Sequence, residues 1–421
     1  MGKIDVLNGN KAAAYGAKLA RVELLAAYPI TPQTPLVEYL ATYVADGEID
    51  ADLVEVESEH SALSVLQGGV LAGARTFTGT SSQGLALMYE PYIRTSTMRM
   101  PIVMALVTRE VISPQTVWGG QQDAVTVREA GWIQIWCETV QEILDTVVQA
   151  YKIAENKEVL IPVNVCYDGF SLSHMAERVE LPDQELVDQF LPASDISHLK
   201  LDPAKPMSVD PLTAGPMLTE FRHKQVTAMK RAEEVIEEVR QEWAEKFGRD
   251  HGGMIDTYRM EDAEIAIVCL GSPAGTARVV IDQMREQGIK VGMLRIRVLR
   301  PFPVEAVKQI LSKVKAIGVI DRNVSFAAGF GISYLEVKQA FGGEKMPPML
   351  DFIGGLGGSD VTLANIGDAV LLTQYVANGG KWKDVTWFGL DPIDFEQLDQ
   401  SKLRKMMGDD QDDELLRGVI S

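Results

Sequence analysis

The stretch that decides the reading of this chain begins Leu53-Val54-Glu55-Val56-Glu57-Ser58-Glu59-His60-Ser61-Ala62-Leu63. It continues through small and apolar residues to Gly73-Ala74-Arg75-Thr76-Phe77-Thr78-Gly79-Thr80-Ser81-Ser82-Gln83-Gly84 and ends Leu85-Ala86-Leu87-Met88. Val54 to Glu57 alternates as a short strand does. Ser58 is a good helix N-cap, because its hydroxyl can accept from a free N–H of the first turn. Residues 61–73 suit a helix packed closely on a sheet, Arg75–Thr78 reads as the next strand, and Ser81–Gly84 as a turn into a further helix. Strand–helix–strand–helix order puts Glu59 at the carboxyl end of a strand, where ligands bind in open α/β sheets. Glu59 also suits a plain structural role, since an acidic residue in a first turn is favoured by the helix dipole. Its apolar, small-residue surroundings keep a functional role open beside that one.

Upstream, Leu24–Tyr28 reads as a buried strand running into Tyr28-Pro29-Ile30-Thr31-Pro32-Gln33-Thr34-Pro35. Prolines at 29, 32 and 35 make this a stiff turn. Thr34 suits the cap of the following helix, with Pro35 at its first position. Thr31 is then either a turn residue or a hydroxyl offered to a ligand. Downstream, a helix over about 84–98 leads to the strand Ile102–Thr108, and Arg109 stands at that strand's end. A long Gly- and Gln-rich run, Glu110 to Asp123, follows; loops of this kind are usually functional or mobile. Arg109 suits a substrate carboxylate, which its planar fork can bind with two parallel hydrogen bonds, and equally suits a structural carboxylate. Strand readings over 131–137 and 159–165 flank a helix over 139–156. The alternation implies a mostly parallel sheet covered on both faces.

The 421 residues exceed one ordinary core, so at least two domains are expected. The net charge of −19 argues against a nucleic-acid surface or an anionic membrane as partner. Hydrophobic residues at 46% and charged residues at 24% match a globular protein of the cytoplasm. No apolar run reaches membrane-span length, and the first residues lack a signal-peptide core. Cys137, Cys166 and Cys269 are scattered in apolar runs without a Cys-x-x-Cys pair, so no iron–sulfur cluster or structural zinc is expected in this chain. The histidines form no metal-ligand spacing.

Residues 181–258 read as a surface connector followed by a charged helix over 220–247. A second α/β pattern follows, with strands over 265–270, 291–298, 316–321 and 349–353. Its glycine-rich turns at Gly271 and Gly354 match neither a complete dinucleotide fingerprint nor a P-loop, and read as tight strand-to-helix turns. Residues 401–421 form an acidic tail.

Over nearly its whole length the chain resembles the alpha subunit of the 2-oxoacid:ferredoxin oxidoreductases, similar to the pyruvate and phenylglyoxylate enzymes. The resemblance rests together on Tyr28–Pro32, Glu57–His60, Gly73–Gly84, Arg128–Trp132 with Gln134, Pro162–Gly169 with His174, and Arg300–Pro303. It implies two doubly wound, mostly parallel-sheet domains: a thiamine-diphosphate pyrimidine-binding-like domain over 1–180 and a transketolase C-terminal-like domain over 259–400. It further implies CoA-dependent oxidative decarboxylation of a 2-oxo acid to an acyl-CoA and CO2. Thiamine diphosphate would be shared with a beta subunit that holds its diphosphate and Mg²⁺. Electrons would leave through iron–sulfur (delta) subunits, with a gamma subunit and a flavin- or NAD-linked subunit as further partners and ferredoxin or NAD as acceptor. By position, Glu59 matches the glutamate that hydrogen-bonds the aminopyrimidine ring and promotes proton removal from the thiazolium. Thr31 matches a substrate-side threonine, and Arg109 the arginine that meets the substrate carboxylate.

The pattern departs after Arg109. Where the pyruvate enzymes carry a Trp-x-Asp-His-x-Asp-like run, this chain has Trp118-Gly119-Gly120-Gln121-Gln122-Asp123. Either the glycines open space for a larger, aromatic 2-oxo acid such as phenylglyoxylate, or the loop has drifted. Two rivals stand beside the enzyme reading. A non-catalytic assembly subunit is disfavoured by the joint presence of Glu59, Thr31 and Arg109. A stand-alone transketolase-type enzyme is disfavoured by the lack of a diphosphate–metal motif.

Overall fold

A computed structural model describes residues 3–111 and 113–398. Contacts divide the chain into two compact units, one of the residues up to Met254 with Arg297–Phe302, the other of Ile255–Ile296 and the residues from Pro303 onward. Each is an α/β layer structure of the expected class. The acidic tail expected at 401–421 lies outside the described residues.

The first unit is built on a seven-stranded sheet in the order Val298–Arg300, Ile133–Trp136, Val163–Asp168, Val103–Thr108, Thr76–Thr80, Leu24–Ala27, Asp52–Glu55. Pairing is parallel throughout except at the Val298–Arg300 edge. The four inner strands from Ile133–Trp136 to Thr76–Thr80 are wholly buried, and apolar or small residues dominate them, with Gln134, Asn164 and Asp168 as buried polar exceptions. From Leu24–Ala27 the chain leaves toward one edge of the sheet, and from Thr76–Thr80 toward the other. The order therefore reverses between those two strands, and the crevice beyond their carboxyl ends is the expected ligand position of such a sheet.

Helices cover both faces. Gly9–Leu19 and Val140–Ala154 pack so closely that a methyl at Gly16 would stand 2.7 Å from Val147 Cβ; glycine lets the backbones touch. The long helix runs Gly215–Phe247, starting before the expected 220. Its second half buries Ala228, Ala232, Val235, Ile236, Val239 and Trp243 at helical spacing, while its first half stays exposed. Just before the expected connector lies the strand Ala176–Leu181, antiparallel to Lys3–Asn8, and within it a short helix Gln184–Phe190.

Three element readings change. The helix expected over 84–98 is two, Ser82–Leu87 and Tyr89–Thr97, parted at Met88. The strand expected over 159–165 runs Val163–Asp168. The strand expected over 291–298 stops at Ile296, and Val298–Arg300 pairs with Ile133–Trp136 in the first unit. There Arg297 is buried against Glu142 at 2.7 Å, with Thr146 and the Gly253 carbonyl as further acceptors.

The second unit carries a six-stranded sheet in the order Val385–Trp387, Met349–Ile353, Ala316–Asp321, Ile265–Leu270, Val291–Ile296, Ile255–Tyr258. Only the last strand is antiparallel to its neighbour. Asp321 and Asp351 are both buried on this sheet. Asp321 accepts from Ser333 N, Tyr334 N and Asn323 Nδ2, and Asp351 accepts from Gly331 N.

Candidate active site

Leu24–Ala27 delivers the turn that carries Thr31. Pro32 O accepts from Asn10 Nδ2 at 2.9 Å, and buried Gln33 donates to Gly79 O at 2.8 Å while its Oε1 accepts from Ile30 N. The turn is thereby tied both to the first helix and to the neighbouring Thr76–Thr80 strand. The following helix begins at Thr34, one residue earlier than the cap reading allowed, with Gln33 at the N-cap. The Thr31 hydroxyl is exposed.

Asp52–Glu55 delivers Glu59. Ser58 caps the helix as expected, accepting from Ser61 N at 3.2 Å, and Glu59 is the first helical residue. The side chain nevertheless turns inward and is 4% exposed. No described side chain bonds its carboxylate; its own backbone N–H is the one donor, and burial pushes its pKa up against that bond and the helix dipole. Beside it lie Thr80, whose buried Oγ1 has no hydrogen-bond partner among the described residues, and Gly84. A methyl at Gly84 would stand 2.5 Å from Thr80 Oγ1 and 2.8 Å from Glu59 Cδ, and closer still to Glu59 Oε1. The carboxyl group, the hydroxyl and the bare glycine thus pack together as one small polar cluster at the crossover point of the sheet.

Val103–Thr108 delivers Arg109. Its Nε donates to Thr116 O at 2.8 Å and its Nη1 to Thr31 O at 2.9 Å. It has no structural carboxylate partner on its guanidinium among the described residues. Two of five N–H donors are spent on backbone; Nη2 forms no hydrogen bond with any described residue. Burial pulls its pKa down, opposed by nearby Asp123.

Asp123 is the member that sequence reasoning quoted but gave no role. It is 1% exposed, and its Oδ2 accepts from Ser82 N at 2.8 Å and Arg109 N at 3.0 Å, with Oδ1 accepting from Ala124 N. Burial pushes its pKa up to about 7 in spite of these donors. One carboxylate therefore clamps the turn leading to Gly84 to the loop that begins at Arg109. An aspartate closing a Gly/Gln loop was the available signal; its partner forty-one positions upstream was not. Thr31 and Arg109 are in direct contact, and Glu59 joins them through Gly84, Ser82 and Asp123.

The Gly119–Gly120 reading is corrected. A methyl at Gly119 would lie 3.1 Å from Gly169 C and closer to its carbonyl oxygen, and one at Gly120 would lie 2.8 Å from Glu110 Cδ. The glycines permit close approach of backbone and carboxylate, and that volume is filled. Among the described residues no group of three His, Cys, Asp or Glu side chains could hold a metal ion, and no helix is long and apolar enough to cross a membrane.

Comparison with known proteins adds to this geometry. Residues 15–241 match the family described as pyruvate flavodoxin/ferredoxin oxidoreductase, thiamine diphosphate binding. Residues 263–366 match pyruvate:ferredoxin oxidoreductase core domain II. The chain is 51% identical, over 90% of its length and 92% of the relative, to the alpha subunit of NADH-dependent phenylglyoxylate dehydrogenase of Aromatoleum evansii. It is 45% identical, over 87% of its length and 94% of the relative, to pyruvate synthase subunit PorA of Methanocaldococcus jannaschii. A solved 2-oxoglutarate:ferredoxin oxidoreductase from Magnetococcus marinus, with 2-oxoglutarate, coenzyme A and succinyl-CoA bound, shares the fold with a TM-score of 0.67 at 22% identity. That match covers 88% of this chain and 65% of the solved one. The chain belongs to the thiamine-diphosphate-binding pyruvate flavodoxin/ferredoxin oxidoreductase family, among the alpha subunits of 2-oxoacid oxidoreductases.

Proposed function

We propose that this chain supplies the substrate side and the pyrimidine side of a thiamine-diphosphate site in a multi-subunit 2-oxoacid oxidoreductase. The reaction is oxidative decarboxylation of a 2-oxo acid to its acyl-CoA and CO2, with electrons passing to iron–sulfur subunits. The observation that carries this reading is the buried Glu59 carboxyl group, unbonded by any described side chain, beside the partnerless Thr80 hydroxyl. A ring nitrogen and an amino group suit that pair. Burial, which raises the Glu59 pKa, favours the protonated carboxyl group over its place in water and so suits proton exchange with a ring nitrogen. Bound there, thiamine diphosphate supplies the carbon nucleophile and the electron sink.

The chain's own residues then divide the work. Glu59 hydrogen-bonds the aminopyrimidine and exchanges a proton with it. Arg109 offers Nη2 to the substrate carboxylate while Nε and Nη1 keep the guanidinium fixed on two carbonyls. Thr31, on the same turn that Arg109 grips, offers its hydroxyl to the 2-oxo group. On the same reading, the diphosphate and its Mg²⁺ fall to a beta subunit. Coenzyme A as acyl acceptor and ferredoxin or NAD as electron acceptor follow the same reading, as do the gamma and delta subunits and a cytoplasmic setting.

The test uses the assembled complex. Glu59→Gln keeps size and polarity and removes the exchangeable charge. Turnover of 2-oxo acid should fall about a thousandfold, with subunit composition and thiamine diphosphate content retained. Normal turnover by Glu59→Gln would leave the non-catalytic assembly reading in its place.

A further inference from the structure

Asp123 holds one stretch of the site in a conformation that it would not take unaided. Ser82 opens the helix Ser82–Leu87 with φ of +48°. That is the left-handed region, which a non-glycine residue rarely occupies and keeps only where the surroundings impose it. Two bonds impose it here. The Ser82 N–H donates to Asp123 Oδ2 at 2.8 Å, and the Ser82 hydroxyl donates to Glu110 O. The two acceptors stand at opposite ends of the Glu110–Asp123 run. Asp123 also closes the base of that run, because Arg109 N donates to its Oδ2 at 3.0 Å and its own N–H returns a bond to Arg109 O at 3.3 Å. One carboxylate oxygen thus receives main-chain N–H groups from Ser82 and Arg109. Both residues are buried, so neither donor finds solvent in its place.

What this turn carries gives the bonds their meaning. Gly84 lies two residues on, and a methyl there would stand 2.8 Å from Glu59 Cδ and 2.5 Å from Thr80 Oγ1. The main chain at Gly84 therefore lies against the Glu59 carboxyl group with no side chain between them. No described side chain bonds that carboxyl group, so packing rather than hydrogen bonding fixes where it points. The firmness of its backing then depends on the firmness of the Ser82 turn.

We propose that Asp123 is a positioning residue for the Glu59 carboxyl group: it pins the Ser82 turn, and the turn holds Gly84 against that group. The role rests on the reading that Glu59 exchanges a proton with the aminopyrimidine of thiamine diphosphate. Without the Asp123 carboxylate the turn relaxes out of the left-handed region, Gly84 withdraws, and the Glu59 side chain gains rotamers that packing now denies it. The Arg109 guanidinium is less affected, because its own bonds to Thr116 O and Thr31 O remain. Loss at Asp123 therefore falls on proton exchange rather than on substrate affinity.

The experiment is a double-mutant cycle on the assembled complex with two readouts. One is turnover of phenylglyoxylate or pyruvate, whichever the wild type uses better. The other is the dissociation constant of thiamine diphosphate, measured by calorimetry on complex stripped of it. Asp123→Ala should lower kcat at least about tenfold and weaken thiamine diphosphate binding about threefold, while KM for the 2-oxo acid moves less than about threefold. Asp123→Asn keeps an oxygen for Ser82 N and Arg109 N and gives up only the bond from Ala124 N; it should recover most of both losses. Gly84→Ala presses on Glu59 only while the turn behind it is fixed, so its cost should shrink at least about threefold in the Asp123→Ala background. Where Asp123→Ala fails to assemble, Ser82→Gly takes its place in the cycle. It removes the hydroxyl bond and the backbone strain, should melt no lower than wild type, and should shrink the Gly84→Ala cost in the same way. Costs that multiply independently, or an Asn variant as impaired as the Ala one, overturn the proposal. A wild-type complex that turns over neither acid, or normal turnover by Glu59→Gln, defeats the underlying functional reading instead.

Discussion

Gly84→Ala isolates the polar cluster around Glu59. The added methyl would stand 2.8 Å from Glu59 Cδ, where ordinary contact begins at 3.4 Å, so the carboxyl carbon must retreat by about 0.6 Å and Oε1 by more. Thr80 Oγ1, at 2.5 Å, must rotate away as well. Both displaced groups are ends of side chains, so relief costs little folding energy. Gly84 lies within the helix Ser82–Leu87, where alanine is favoured over glycine by roughly 0.5–1 kcal/mol. The melting temperature should therefore stay within about 3 °C of wild type.

Catalysis should not be spared. A misplacement of about 1 Å at a reacting group costs on the order of 10²-fold, equivalent to about 2.7 kcal/mol of barrier. We expect kcat/KM for the 2-oxo acid to fall about thirty- to a hundredfold in the assembled complex, assayed by substrate-dependent reduction of an artificial electron acceptor. Gly68→Ala is the control. It lies on the helix that Glu59 begins, and a methyl there meets nothing within 4 Å. If Gly84→Ala retained activity within threefold of that control, Glu59 would not depend on its packing against Gly84, and the assignment of the carboxyl group to proton exchange would lose its geometric basis.

Further outcomes are expected elsewhere. Arg109→Lys replaces a fork that grips Thr116 O and Thr31 O at once by a single point charge; KM for the 2-oxo acid should rise at least about tenfold, and a fall confined to kcat would contradict a carboxylate-binding role. In the second unit, burial and the neighbouring Asp321 push Asp351 up to about 8. Its folded pKa lies above the unfolded value near 3.9, so folding takes up a proton between about pH 4 and 8. Stability should accordingly decline as pH rises through that window, with the full penalty present above about pH 8. Asp351→Asn should flatten this slope and melt higher than wild type at pH 9, since the side-chain oxygen can still accept from Gly331 N. Parallel melting curves for the two proteins from pH 5 to 9 would refute the raised pKa of Asp351.

Elements bounded by turn residues at both ends were legible in the sequence. Ile265–Leu270, Ala316–Asp321 and Met349–Ile353 occupy the residues their apolar runs span. The run from Val291 was misread because hydrophobicity reports burial without saying against which sheet. The chain leaves one buried strand at Ile296 and enters another at Val298, and the intervening Arg297 is buried too, paired with Glu142. Val163–Asp168 was displaced for the converse reason. It buries Asn164, whose amide bonds Tyr92, and Asp168, polar residues that a hydropathy reading excludes. The ribbon of Lys3–Asn8 with Ala176–Leu181 pairs residues more than 160 positions apart and was invisible to local pattern.

The site divides along the same line. Thr31, Glu59 and Arg109 follow strand ends within a few residues, a relation written in local sequence. Asp123 acts through bonds to Ser82 and Arg109 that no local pattern encodes. Gly119–Gly120 show the ambiguity in its sharpest form, since a missing side chain signals either room or contact, and here it signals contact. These long-range bonds also constrain how the parts can act. Asp123 Oδ2 holds Ser82 N and Arg109 N together, and Arg109 holds the Thr31 carbonyl. Any shift of the guanidinium toward a bound carboxylate must either carry the Thr116 and Thr31 carbonyls with it or break a partly buried hydrogen bond. An unmet buried acceptor or donor costs about 1–3 kcal/mol, comparable to what one charge-assisted bond to substrate returns. The arrangement is for that reason stiff: a carboxylate that fits Arg109 where it stands is bound without rearrangement, and one that requires the guanidinium to move is penalised at the turn bearing Thr31 as well.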